Sequence, residues 1–321
     1  MHRASGSGDL RRWAVWGGKL LIAALLLFLL VQNVNSNTLL PTLTGAQPLF
    51  LVGAVLLLIP NLLFQYRKWA LLLRSVHPAV RPHDIGASLM LGFTFGVVTP
   101  ARIGEFGGRA FAVRGTDRLA LIGLTAVDKL ATLTVTVMAG SVGLLIFCIQ
   151  HPFIDPALLA AAELTVLSFV AGLSLLWTRR KRSASVIPPA RWLQQRIQRI
   201  QSALAGVDTR LRVRLLLLSL LFYCTFLLQF VLLLYAFGST DLLSALAGIS
   251  TIMLIKTVIP PVTVGELGIR EGASVYVLGH AGIVAAAAFS ASLLLFAINI
   301  LLPSLAGLLI LFRRSTAHHP A

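Results

Sequence analysis

Residues 100–109 read PARIGEFGGR, and residues 261–270 read PVTVGELGIR. Both stretches follow the pattern P-x-x-a-G-E-a-G-x-R, in which a is an apolar residue. We call them the first and the second box. The second box lies 161 residues after the first, because Gly265 occupies the place of Gly104. A repeat at half the length of the chain predicts a fold with two related halves.

Each box interrupts a stretch of apolar sequence that is too short for an ordinary membrane span. Residues 85–99 and 242–259 precede the boxes, and the short apolar runs 106–113 and 273–279 follow. A membrane-spanning helix needs about 20 apolar residues. Runs broken by proline and glycine therefore predict two re-entrant or broken helical hairpins. The residues of the predicted turns are Pro100, Gly104, Pro261, Gly265 and Gly268.

The composition of the whole chain predicts a polytopic membrane protein. Of 321 residues, 57% are apolar without counting 26 glycines, and only 12% are charged. Soluble domains have about 45–50% apolar residues with glycine included and about 25% charged residues. These values exclude disordered, collagen-like and disulfide-rich secreted proteins. The two cysteines and the scattered histidines show no metal-binding spacing, so no metal or cofactor is expected.

The fold class predicted is an all-α membrane protein with about six transmembrane helices and the two hairpins in an inverted repeat. The predicted spans are residues 13–31, 49–66, 119–149, 157–177, 215–237 and 283–312. They form one transmembrane domain, 13–312, with repeat halves at about 49–149 and 215–312. Residues 1–12 and 313–321 are the predicted cytoplasmic ends, and 178–214 a basic cytoplasmic linker.

The distribution of charge predicts the orientation in the membrane. The net charge is +16, and the basic residues fall between apolar runs, which argues for topology signals and against nucleic-acid binding. Arg67 and Lys68, directly after the span 49–66, belong to this basic set. The positive-inside rule places both termini in the cytoplasm of a multi-pass inner-membrane protein. The linker contains an apolar stripe, which predicts either an interfacial helix on anionic lipid or a helix packed on the bundle.

The boxes carry paired opposite charges. If each box continues as a helix, Glu105 and Arg109 are one turn apart, and so are Glu266 and Arg270. One interpretation is neutralisation of a hairpin inside the membrane. The other is a functional site, because charged residues inside a membrane are costly and a helix N-terminus beside an arginine can hold phosphate. We expect the arginines to hold a lipid phosphate, with the acids orienting them or binding an amine.

Further charged residues lie near the boxes. Arg102 belongs to the first box, Glu271 follows Arg270, and Lys256 precedes the second turn. Asp128 and Lys129 lie either at the end of their span or in the cavity between the halves. The candidate binding residues are Arg102, Glu105, Arg109, Asp128, Lys256, Glu266, Arg270 and Glu271.

The two boxes resemble the flippase-like family of the transmembrane region of lysylphosphatidylglycerol synthase. The resemblance rests on Gly92-Phe93, on the run from Thr99 to Arg109, and on the second box through Gly272. It implies an inner-membrane protein that moves lipids between leaflets, without the aminoacyltransferase domain of the founding members. The second box departs from the family's Gly-Gly-Leu-Gly at Glu266, so Glu271 is the acid that the resemblance implies.

The leading expectation for function is a lipid transporter of the flippase or scramblase type, and not an enzyme. The alternatives are a membrane transferase that uses a polyprenyl or phospholipid carrier, and an accessory scaffold of a lipid or glycan pathway. The partners expected are membrane lipids with an anionic or phosphate-bearing headgroup. Enzymes of a lipid pathway and further copies of the same chain are secondary partner candidates.

Overall fold

The computed structural model of the chain describes residues 44–99, 101–113, 115–152, 154–178, 208–238, 241–259 and 268–316. The described residues form helices and turns, with no strand among them. The helices are α1 (Pro48–Leu56), α2 (Leu58–Val76), α3 (Pro82–Val97), α4 (Gly104–Ala112), α5 (Arg118–Gln150), α6 (Pro156–Thr178), α7 (Thr209–Phe237), α8 (Leu242–Val258), α9 (Ile269–His280), α10 (Ala285–Phe296) and α11 (Leu302–Thr316), with a π-helical turn at Ala297–Leu301.

Four of these segments are long and apolar enough to cross a membrane. They are Pro48–Val76, Arg118–Gln150, Thr209–Phe237 and Ala285–Arg313. Shorter apolar stretches are Pro156–Val166, within α6, and Leu242–Val258. Large apolar side chains such as Leu49, Ile149 and Leu309 are 63–80% exposed, as expected for a surface that faces lipid. The chain is therefore a membrane protein that is all-helical in the part that the structure describes. The predicted first span, 13–31, and most of the linker lie outside the described residues.

The helix boundaries follow local signals. Asp117, Asp208 and Asp241 precede α5, α7 and α8, and each carboxylate accepts a hydrogen bond from a backbone N–H in the first turn. Proline breaks two of the long segments, because it has no N–H to bond the carbonyl four residues earlier. Pro60 follows the break at Leu57, and Pro303 follows the π-helical turn. The predicted span 283–312 is therefore two helices joined by that turn.

Two short helices flank the turn of each box along the chain, as the broken apolar runs predict. The first pair is α3 and α4, of 16 and 9 residues, and the second is α8 and α9, of 17 and 12 residues. The helices α3 and α4 pack closely: a Cβ atom at Gly108 would lie 2.5 Å from the Leu91 carbonyl oxygen. Each pair ends at a long segment, α5 in the first half and α10–α11 in the second.

The two halves pack across one another. Helix α8 lies along α5, and α3 lies along α11, so the first helix of each pair contacts the long segment of the other half. At the first contact, a Cβ atom on Gly143 would lie 2.3 Å from Ser250 Cβ. At the second, Thr94 Oγ1 donates to the Ser304 carbonyl at 2.8 Å. Small residues thus allow close backbone approach at these crossings.

One prediction about the spans is wrong. The helix expected to end at residue 66 continues through Arg67 and Lys68 to Val76. Lys68 is 2% exposed, and its ammonium lies 2.8 Å from a carboxylate oxygen of Asp128. Lys68 is therefore not a loop charge that sets topology. Its buried counter-ion stabilises a lysine within the span, and that partner lies 60 positions away in the sequence.

Candidate functional site

Three helices bring charged side chains together inside the bundle. Glu105 and Arg109 lie one turn apart on α4, Asp128 and Lys129 lie on α5, and Lys68 lies on α2. Glu105, Arg109, Asp128 and Lys68 are each at most 4% exposed. Because unpaired charge is costly in such surroundings, their mutual contacts are a condition for burial. We call these five residues, together with Arg102, the charge cluster.

Arg109 bridges the two carboxylates of the cluster. Its Nη2 atom donates to Glu105 Oε1 at 2.6 Å, and its Nη1 atom donates to Asp128 Oδ2 at 2.8 Å. The other oxygen of Glu105 accepts from Lys129 Nζ at 2.6 Å, and the other oxygen of Asp128 lies 2.8 Å from Lys68 Nζ. Each carboxylate therefore meets at least two cations. The planar guanidinium suits this bridging role because its donors point in fixed directions.

Aromatic and hydroxyl groups hold the bridging arginine. The Arg109 guanidinium lies over the Trp69 ring, with 4.8 Å from Cζ to the ring centroid. The Trp69 indole donates to Ser88 Oγ at 3.1 Å, and Ser88 donates in turn to the Arg109 carbonyl oxygen at 2.7 Å. Side chain and backbone of Arg109 are thus fixed by neighbours on α2 and α3.

Arg102 enters the cluster from an unusual turn. Ala101 and Arg102 have φ angles of 52° and 54°, in the left-handed region that residues with a side chain adopt rarely. The turn directs the Arg102 guanidinium to Glu105 Oε2 at 3.2 Å and over the Phe93 ring at 5.5 Å. Backbone strain of this kind is found mainly at functional sites. The side chain of Arg102 is 16% exposed, which leaves it more accessible than Arg109.

The second box has a smaller group of paired charges. Arg270 Nη2 bonds to Glu271, and Arg270 Nε donates to Ser292 Oγ at 2.9 Å. The other Glu271 oxygen accepts the Gly268 N–H at 2.7 Å and so caps α9. Gly268 has a φ angle of 96°, which glycine adopts without strain. The carboxylate of Glu271 is therefore fully used in orienting Arg270 and starting the helix.

Arg102 and Arg109 of the first box and Arg270 of the second line one cavity, which has a volume of about 570 Å³. The cations that line it are Lys68, Arg102, Arg109, Lys129, Lys256 and Arg270. Asp128 also lines it. Glu105 and Glu271 bind two of the lining arginines, Arg109 and Arg270. Six cations and three carboxylates give this group a formal charge of +3 among the described residues. The surplus makes the cavity attractive to an anion.

The structure brings most of the predicted site residues together. Arg102, Arg109, Asp128, Lys256 and Arg270 line the cavity, while Glu105 and Glu271 hold its arginines. Gly104 begins α4, and a Cβ atom there would lie 2.1 Å from the Phe95 carbonyl oxygen. Pro100, Pro261, Gly265 and Glu266 lie outside the described residues. Asp128 and Lys129 line the cavity, which is one of the two positions that the sequence leaves open for them.

Sequence reasoning missed several polar residues of the cavity. Lys68, Asn61 and Gln65 on α2, and Asn299 in the π-helical turn, all line it. Asn61, Gln65 and Lys68 follow the spacing i, i+4, i+7, which places them on one face of α2. That polar stripe was a usable signal. For Asn299, the sequence offers no signal beyond the nearby Pro303, because the position of Asn299 depends on how the broken helix packs.

The helical membrane fold and the buried charges around the cavity define a polytopic membrane protein with a cavity lined by charged residues. The chain belongs to the family described as the lysylphosphatidylglycerol synthase TM region, whose family model matches residues 16–307. The resemblance drawn from the two boxes is thereby confirmed. A comparison with curated proteins found no match.

Proposed function

We propose that this protein moves a phosphate-bearing lipid headgroup between the two leaflets of the inner membrane. One observation carries the proposal: cations of both boxes line a single cavity with an excess of positive charge. A lipid headgroup cannot cross hydrocarbon bare without a large electrostatic cost. A polar groove between the halves lowers that cost while the acyl chains stay in the bilayer.

The accessible cations are the first contacts for the headgroup. Lys129 has 40% of its side chain exposed and Arg102 has 16%, whereas Arg109 has 2%. Arg109 already gives Nη1 and Nη2 to carboxylates, and its Nε–H has no partner among the described residues. We therefore assign headgroup capture to Arg102 and Lys129, and deeper binding to Arg109 and Arg270.

The proposal includes the orientation and the symmetry of the chain. The crossed packing of α8 on α5 and of α3 on α11 supports two related halves, and the distribution of basic residues supports their inverted topology. With both termini in the cytoplasm, the first hairpin enters from the cytoplasm and the second from the opposite side. The proposed role is transport without covalent change of the lipid.

A leaflet-resolved assay in proteoliposomes tests the proposal. Purified protein is reconstituted with a trace of fluorescent phospholipid, and dithionite bleaches the label that reaches the outer leaflet. We expect additional bleaching over protein-free vesicles, and its loss in the double variant Arg102→Gln, Lys129→Met. The matched control is Arg210→Gln, an exposed cation at the start of α7. Bleaching equal to that of empty vesicles, with folded protein present, contradicts the transport role.

A further inference from the structure

The cavity also contains two buried amide side chains that the charge cluster does not use. Asn299 and Asn61 line the cavity and are 7% and 1% exposed. Asn299 Oδ1 and Asn61 Nδ2 have no hydrogen-bond partner among the described residues. Unpaired polar atoms are rare at such burial because each costs free energy. Their position on a cavity wall points to a ligand that supplies the missing partners.

A relay of hydrogen bonds from Asn299 through Gln229 to Ala54 determines which side-chain atom of Asn299 remains unpaired. The Ala54 carbonyl can only accept, and Gln229 Nε2 donates to it at 2.7 Å. Gln229 must then direct Oε1 toward Asn299, whose Nδ2 donates to it at 2.7 Å. The remaining atom of Asn299 is Oδ1, an acceptor without a proton. The backbone of α1 thus determines that the unpaired atom of Asn299 is an acceptor.

The relay depends on the breaks in two helices. Ala54 lies in α1, close to the break at Leu57, and Asn299 lies within the π-helical turn before Pro303. Single π-helical turns inside membrane or soluble helices are found frequently at functional sites. Asn299 and Ile300 belong to this turn, and both line the cavity.

The charge around Asn299 selects between the donors that a headgroup can offer. An acceptor needs either a hydroxyl or an ammonium group as its partner. Six cations against three carboxylates repel an ammonium, and the surplus stays positive if Glu266 is counted as a fourth acid. Glu105 and Glu271 accept from arginines, Lys129 and a backbone N–H. The two oxygens of Asp128 lie 2.8 Å from Arg109 and 2.8 Å from Lys68, so none of the three carboxylates is open to an amine. A hydroxyl is the donor that fits.

We infer that the cavity selects a phosphate-bearing headgroup that carries hydroxyl groups and no amine. The phosphate binds at the cations, a hydroxyl donates to Asn299 Oδ1, and Asn61 Nδ2 donates to an oxygen of the same ligand. This inference deepens the proposed function and rests on it for the lipid form of the ligand. A soluble phosphorylated polyol has the same chemistry.

Native mass spectrometry of the purified protein with added lipids tests the hydroxyl preference. Phosphatidylglycerol and phosphatidylmethanol carry the same phosphodiester charge and differ in the headgroup hydroxyls. We expect phosphatidylglycerol to bind about 3- to 10-fold more tightly, the effect of one neutral hydrogen bond. Phosphatidylethanolamine, with its ammonium, should bind most weakly. Equal affinity of the wild-type protein for the first two lipids overturns the inference, whatever the behaviour of any variant.

The variant Asn299→Leu tests whether the relay through Gln229 causes the preference for phosphatidylglycerol over phosphatidylmethanol. It should bring the affinity ratio of the two lipids to about 1 while keeping the affinity for phosphatidylmethanol. Thr251→Val is the matched control, because Thr251 is buried but bonds only to a carbonyl of its own helix. A ratio in Asn299→Leu equal to that of the wild type contradicts the role of Asn299.

Two further comparisons distinguish a lipid ligand from a soluble one, and the hydroxyl preference from the proposed transport function. Glycerol 3-phosphate and methyl phosphate repeat the comparison without acyl chains, and preference for the former supports the same site for a soluble ligand. A hydroxyl preference without lipid movement in proteoliposomes contradicts transport but supports the site. Lipid movement without any hydroxyl preference supports transport and overturns the present inference.

Discussion

Arg109 on α4 and Asp128 on α5 are joined by a hydrogen bond of 2.8 Å between Nη1 and Oδ2, and both side chains are buried. Asp128 also neutralises Lys68 from α2. One carboxylate thus holds together three helices, α2, α4 and α5. The stability of the first half and the shape of the cavity both depend on this residue.

Replacing Asp128 by asparagine should destabilise the protein by about 3–5 kcal/mol, because removal of one partner leaves buried charge without compensation. The measurement is unfolding by SDS titration in mixed micelles. Adding Lys68→Met to Asp128→Asn removes one of the uncompensated cations and should recover part of the loss. Additive effects of the two changes in a double-mutant cycle would show that Lys68 and Asp128 are not coupled.

Replacing Arg109 by lysine should reduce lipid movement by about 10-fold or more, since a single ammonium cannot bridge Glu105 and Asp128 as the guanidinium does. Charge is conserved, so the amount of folded protein should change little. The same substitution at exposed Arg210 serves as the control and should leave the rate unchanged. Transport at the wild-type rate in Arg109→Lys would show that Arg109 neutralises charge and does nothing more for lipid movement.

The contact of α5 with α8 is sensitive to one methyl group. A Cβ atom at Gly143 would lie 2.3 Å from Ser250 Cβ and 3.1 Å from the Ala247 carbonyl oxygen, so the helices would have to separate. We expect Gly143→Ala to cost about 1–3 kcal/mol of stability, measured by thermal unfolding in detergent. At Gly172, an added Cβ atom would have no described atom beyond the backbone of its own helix within 4 Å, so Gly172→Ala should be neutral or stabilising by up to about 1 kcal/mol. Equal stability of the two variants would disprove the close packing.

The positive-inside rule gives a prediction for residues beyond the described helices. A reporter fused at Asn37 should be extracytoplasmic, and one fused at Ser185 cytoplasmic, because the basic residues cluster on one side. Protease or alkylation accessibility in intact cells measures both positions. Access to Ser185 from outside would reverse the orientation and remove the argument for inverted halves.

The sequence alone predicted the elements on which the site is built. Proline and glycine around Gly104 and Gly268 indicated short helices, and the spacing of Glu105 and Arg109 indicated an ion pair on one face of α4. These features depend on neighbours within one or two turns, which local rules describe well.

The missed parts of the site depend on contacts between distant residues. Lys68 follows Arg67 directly, and the sequence alone predicts a place in a basic loop, although the carboxylate that permits its burial lies on α5. The Gln229–Asn299 pair joins α7 to the π-helical turn. No local pattern specifies that turn, because its geometry depends on how the helix before Pro303 packs. When the predicted span is extended past residue 66, helical periodicity places Lys68 on the same face of α2 as Asn61 and Gln65.

Each hairpin is fixed to the long helix of the opposite half, α3 to α11 and α8 to α5. The bonds from Arg109 to Asp128 and from Lys129 to Glu105 connect α4, which packs on α3, to α5, which packs on α8. These bonds therefore join the two crossed pairs. If the protein moves a phosphate-bearing headgroup as proposed, a phosphate that competes for Arg109 and Lys129 loosens this connection. We then expect the empty protein to keep its helices in place and the occupied protein to rearrange.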